Sequence, residues 1–222
     1  MTTPFFKTIL AIIRKDFRAE LRTRELVNSM LLFSLLSVLI FSFALELDRS
    51  ARQEAVTGVL WVTVIYASIL GLNRSLVTEK ENGSLDAMMI APVSRTAIFL
   101  GKLVGNFLFT LVIGLTLLPL MTILYNMTLI HIEMVILLAL GILGLTSVRT
   151  LLATMTVQTR SRETLLPIAM MPAALPVLML VVNAALDILK DTSRGDWVVS
   201  LLVIDLIYIV MGAVLFEFVI ED

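Results

Sequence analysis

Six separate runs of this chain are each long and apolar enough to cross a bilayer, and that repetition limits the fold before any motif is considered. A hydrocarbon core of about 30 Å needs roughly 20 helical residues. The runs fall near 27–45, 54–73, 97–125, 133–157, 164–189 and 197–219. Composition agrees: 59% of the residues are hydrophobic, against about 45–50% in soluble domains, and the mean hydropathy is +0.99. The expected fold is all-α and polytopic, with six transmembrane helices over 27–219, an amphipathic helix over 1–26 and a short tail at 220–222. A net charge of −1 gives no basic surface for nucleic acid. The absence of cysteine excludes disulfides and thiol chemistry.

The N-terminus reads as retained, because basic residues continue through Arg24 where a signal peptide would be cleaved. Lys7, Arg14, Lys15, Arg18, Arg22 and Arg24 precede the first span; Arg74, Lys80 and Arg95 lie in the second connection, and Arg160 and Arg162 in the fourth. Only Arg49, Arg52, Lys190 and Arg194 fall on the other side. The positive-inside rule then puts both termini in the cytoplasm. Within 4–25, Phe6, Leu10, Ile13, Phe17 and Leu21 share one helical face, while Lys7, Arg14, Lys15, Arg18 and Arg22 gather on another arc. That pattern predicts a helix at the inner membrane surface, its basic arc towards anionic lipid headgroups.

Between the second and third spans the chain reads EKENGSLDAMMIAPVSR. Thr78 and Glu81 have capping-box spacing and predict the start of a short helix, broken at Asn82-Gly83. Ser84 can cap a second short helix with Asp86 near its positive end, and Pro92 ends it before Ser94 caps the next span. Leu85, Met88 and Met89 share one side, an adaptable apolar surface suited either to lipid or to a groove on a partner.

This segment and the helix after it resemble type-2 ABC export permeases: an acidic residue, Gly, a small hydroxyl, Leu, an acidic residue, an apolar pair and Pro occur in order. Two more stretches, GVLWVTVIYASILGLNRSL and TMTVQTRSRETLLPIAMMPAALPVL, extend the likeness over nearly the whole chain. Together they are similar to CcmB, the haem-exporter permease family of cytochrome c maturation. The resemblance implies a non-catalytic subunit that borrows its ATPase. This chain lacks a phosphate-binding G-x-x-x-x-G-K-[ST], and its Gly101-Lys102 is followed by Leu103. The implied partners are two copies of a cytoplasmic ATPase (CcmA), a second copy of the permease, CcmC, CcmD and the haem chaperone CcmE. Leu85, Met88 and Met89 would enter the ATPase groove, with Glu79, Glu81 and Asp86 at its rim and Gly83, Ser84 and Pro92 shaping the segment. Arg160, Arg162 and Glu163 would form a second cytoplasmic contact, although a positive-inside loop explains the arginines equally well.

Three charges fall inside predicted spans. Lys102 lies about one and a half turns into the third and is expected to reach the inner headgroups. Arg149 sits ~12 Å from the inner end of the fourth, where snorkelling or an intersubunit pair is expected. Asp205 sits ~12 Å from the outer end of the sixth, facing a polar cavity or a neighbouring subunit. Starting from opposite faces, Arg149 and Asp205 are not expected to pair. His131 is the sole histidine, so this chain alone cannot provide bis-histidine haem ligation, and neither a metal nor a cofactor is expected on it. Haem would be handled by the complex and ATP by the partner. A generic exporter of lipid, polysaccharide or drug, and a membrane scaffold without transport, are the alternatives. A membrane enzyme lacks any grouped catalytic residues.

Overall fold

A computed structural model describes residues 5–44, 49–81, 83, 87, 90, 93–156, 162–192 and 195–219. Among these residues the chain forms seven helices and no strand. They are α1 (Phe5–Thr23), α2 (Glu25–Ala44), α3 (Arg49–Glu81), α4 (Arg95–Tyr125), α5 (Ile132–Thr156), α6 (Arg162–Leu189) and α7 (Asp196–Val219). Helices α2 to α7 each carry a stretch long and apolar enough to span a membrane, and these fall where the hydropathy predicts them. Helices α4 and α6 continue unbroken through Pro119 and through Pro167, Pro172 and Pro176.

Helix α5 is the hub, packed against α4, α6 and α7. Its span is 67% buried, whereas those of α2 and α7 are only 22% and 17% buried and line the outside. Small residues set the spacing. A side chain at Gly141 would collide with Trp61 of α3 and Val181 of α6, so three helices meet at that glycine. The Tyr208 hydroxyl of α7 donates to the Ala173 carbonyl of α6 at 2.8 Å.

Helices α2 and α3 form an antiparallel hairpin in which Met30 lies against Gly71 and Ser37 pairs with Thr63 at 3.3 Å. Met30 is five residues into α2, while α3 continues ten residues past Gly71. Helix α3 therefore overhangs the start of α2 by ~8 Å at 1.5 Å per residue. Helix α4 overhangs further, by roughly three turns, since its Phe109 shares a slot with Val27 near the start of α2. Both overhangs flank the 82–94 connection.

Candidate functional site

Helix α1 fills the space that these overhangs create. It has three faces rather than two. Phe6, Leu10 and Leu21 are exposed, and Lys7, Arg14, Arg18 and Arg22 are exposed on the basic arc. Thr8, Ile12 and Asp16, at steps of four, lie on a third arc, where Thr8 and Ile12 are buried. Ile12 sits over Gly101 and the Asp16 carboxylate beside Gly105, so α1 approaches α4 closely through a Gly-x-x-x-Gly face. A β-carbon at Gly101 would come within 3.0 Å of Ile12. Phe17 stacks on Phe109 with ring centroids 4.8 Å apart.

The third face delivers charge to a buried cluster. Lys102 of α4 is 8% exposed and Glu79 of α3 7% exposed, and the two form an ion pair. Lys15 of α1 reaches the same Glu79 oxygen at 2.7 Å. Asp16 meets Lys15 at 3.0 Å and Lys102 at 3.3 Å. Two cations and two anions thus fasten α1 to both helices bordering the 82–94 connection. Three expectations are corrected here. Lys102 ends in ion pairs at the overhang, not at headgroups. Lys15 leaves the basic arc to pair with Glu79. Glu79 lies inside the fold and not on an outward rim. Asp16 is a member that sequence reasoning missed; its signal was its place four residues after Ile12, opposite the two glycines.

The cluster has a definite pH response. Glu79 is held below the ordinary carboxylate range: burial acts to raise it, but Lys102 and Lys15 together outweigh burial. Lys15 is raised, because Glu79 and Asp16 outweigh a burial effect that would lower it. Asp16 is raised, chiefly by burial and further by the Glu79 charge, against the pull of Lys102. For Glu79 the folded value is the lower, so its stabilisation is complete above about pH 4.3 and is lost as pH falls through its own value. Lys15 contributes fully below about pH 10.4 and fades as pH rises through its raised value. Asp16 runs oppositely, its cost being relieved as pH falls through its raised value. A fluorophore on Ala19→Cys, in a chain with no native cysteine, should report α1 docked across neutral pH and released only below about pH 4. Release already at mildly acidic pH would contradict a Glu79-governed attachment, since protonation of Asp16 in that range favours the docked state.

Of the connection itself, Gly83, Ala87, Ile90, Val93 and Ser94 are described. Gly83 has φ +64, a turn conformation that suits glycine, and its carbonyl accepts from the Ala87 N–H at 3.1 Å. Ala87 and Ile90 have helical geometry and are exposed, Ile90 at 84%. Ile90 is a further apolar side chain on this segment, one place beyond Met89. Ser84, Leu85, Asp86, Met88, Met89, Pro92 and Arg160 lie outside the described residues, as do the side chains of Glu81, Arg162 and Glu163. Helix α3 runs through Thr78 to Glu81, so the capping box expected there starts no helix; tertiary packing of α3 overrides it. Ser94 occupies the N-cap of α4, with its carbonyl accepting from Ala97 and Ile98 but no side-chain cap bond.

Arg149 neither snorkels nor reaches out of the chain. It is 2% exposed, and its guanidinium donates to the Thr110 hydroxyl of α4 at 3.3 Å. Asn106 reaches Thr150 one turn away at 3.4 Å. Asp205 is also 2% exposed, its carboxylate pressed against Gly144 of α5 beside Val177 of α6. It faces the bundle interior, not a neighbouring subunit. Trp197, at the start of α7, is buried in the core. His131 is exposed, with a ring nitrogen 3.1 Å from the Thr128 carbonyl oxygen. Among the described residues no three His, Asp or Glu side chains converge as a metal site requires.

Fold and site together define a multi-pass helical membrane protein whose N-terminal helix is ion-paired to the two helices that border the 82–94 connection. The family profile described as CcmB protein matches residues 7–220, and the chain belongs to that family. Proteins named "Heme exporter protein B" are similar to it: that of Bradyrhizobium diazoefficiens is 29% identical over 179 residues, 79% of either chain. That of Rhodobacter capsulatus is 27% identical over 173 residues, 76% of this chain and 78% of the relative. The match to the Escherichia coli K12 protein, 26% identical, spans 99 residues, or 45% of each chain, so this chain covers less than half of that relative's length.

Proposed function

We propose that this chain is the membrane-spanning permease subunit of an ABC exporter for haem handling in cytochrome c maturation. Both termini lie in the cytoplasm, and a separate ATPase of the CcmA kind supplies ATP hydrolysis. The 79–92 segment is the input. Leu85, Met88, Met89 and Ile90 engage an ATPase groove, and Asp86 and Glu81 meet its polar rim. Arg160, Arg162 and Glu163 make a second contact from the α5–α6 connection. Two permeases pair across the membrane, CcmC and CcmD join them, and the stroke frees haem-loaded CcmE at the outer face.

The observation that carries this reading is the bracing of the input segment. Movement of the 82–94 connection is passed to α3 and α4 together, because Glu79 and Lys102 are paired to each other and to α1. A loop resting on lipid would need no such buried cross-bracing, which is costly to desolvate. Lys7, Arg14, Arg18 and Arg22 then hold α1 to anionic headgroups as the load is applied.

A host lacking its own permease of this system supplies the test. Given this chain and its cognate ATPase, it should regain holocytochrome c and release of the haem-loaded chaperone, and a hydrolysis-dead ATPase should block that release. Export of lipid or polysaccharide without cytochrome maturation would make the chain a general exporter. Maturation that persists with the dead ATPase would make it a scaffold.

A further inference from the structure

Where α1 turns into α2, the two helices and α4 enclose a slot of about 300 Å³. Phe17, Leu21, Val27, Phe109 and Val112 give it apolar walls, and Glu20, Arg24 and Asn28 lie at its polar end. We propose that this slot holds one acyl chain of an anionic phospholipid, with the lipid phosphate against Arg24. The site is separate from the ion cluster and does not depend on what the protein transports.

Size, polarity and depth converge on that ligand. The volume is at the lower end of the ~300–1,000 Å³ range of small-ligand pockets, enough for a single chain and too small for a whole lipid. Val112 is 52% exposed and Leu21 70% exposed, so the apolar rim opens sideways from the bundle. Val27 and Asn28 stand in the first turn of the first span, which puts the polar end at headgroup level and the apolar end in hydrocarbon. Glu20 does not repel the phosphate freely, because its carboxylate is engaged. It accepts from the Val27 N–H at 2.8 Å and the Leu26 N–H at 3.3 Å, capping α2. Arg24 is exposed at the corner with φ 54, on the bend that ends α1. A guanidinium at that corner offers a fixed fork for a phosphate, with Arg22 two residues away.

The test uses the full chain with its ATPase in nanodiscs of mixed phosphatidylglycerol and phosphatidylcholine, reading the lipid retained after delipidation by native mass spectrometry. The wild type should retain phosphatidylglycerol above its bulk share, and inorganic phosphate should not displace it. Arg24→Gln should lower that preference roughly fivefold, the worth of one cation at an anionic surface. Val112→Trp, which fills the apolar end, should reduce retention of both lipids, while Val203→Trp on the exposed face of α7 should not. Displacement by inorganic phosphate would reduce the site to an ion contact and overturn the proposal. So would an equal loss of preference in Arg14→Gln, which would assign the pull to the whole basic arc. Unchanged retention in Val112→Trp would likewise show that no chain occupies the slot.

Discussion

Glu79→Lys is expected to detach α1 and to abolish ATP-coupled activity. Glu79 is the common acceptor of Lys15 and Lys102, and it is almost wholly buried. Reversing its charge places three ammonium groups around Asp16 alone. Removing one partner of a buried pair costs about 3–5 kcal/mol, and the new like-charge contacts add to that. Such a loss is comparable to a large part of the ~5–15 kcal/mol that holds an ordinary domain together. Detachment should show as proteolysis within Phe5–Thr23 and as ATP hydrolysis no longer coupled to chaperone release. The double variant Glu79→Lys with Lys102→Glu restores opposite charges across α3 and α4 and should recover part of both. No recovery in the swap, with the chain still folded, would mean that position 79 acts through something other than its pairing.

Changing Leu85, Met88 and Met89 together to Asp is expected to remove ATPase binding altogether. Each apolar side chain buried in a groove contributes ~1.5–3 kcal/mol, and tenfold in affinity corresponds to about 1.4 kcal/mol. Three such losses lower affinity at least a thousandfold, before the cost of burying three carboxylates. Co-purification should fall to background while the permease remains membrane-inserted, since α3 and α4 reach their ends before these positions. Undiminished co-purification would move the docking surface elsewhere, with the α5–α6 connection next in line.

The spans were legible because length and apolarity are properties of consecutive residues, and bilayer thickness fixes both. The 79–92 segment stands out as a candidate because Gly83 and the Leu/Met run interrupt the sequence between two such spans. The cluster was not, because its members come from positions 15, 16, 79 and 102 and no local pattern joins them. Lys102 read alone looks like a snorkelling lysine, and Lys15 fits the basic arc as well as Arg14 does. What separates them is the third face of α1. Asp16 opposite Gly105 and Ile12 opposite Gly101 form the contact that draws Lys15 inward. Asp205 was ambiguous for a similar reason: only Gly144 on another helix makes room for its carboxylate inside the bundle.

A single cysteine at Ile90 gives the most direct test of force entry through residues 79–92. The side chain is 84% exposed, and the chain has no other cysteine. A benzophenone attached to Ile90→Cys, irradiated in the complex with the cognate ATPase, should give a covalent permease–ATPase adduct whose yield changes when a non-hydrolysable nucleotide closes the ATPases. The same label on Val203→Cys, on the outer face of α7, should give none. An intact complex with no adduct from Ile90→Cys, or with equal adduct from Val203→Cys, would contradict the account.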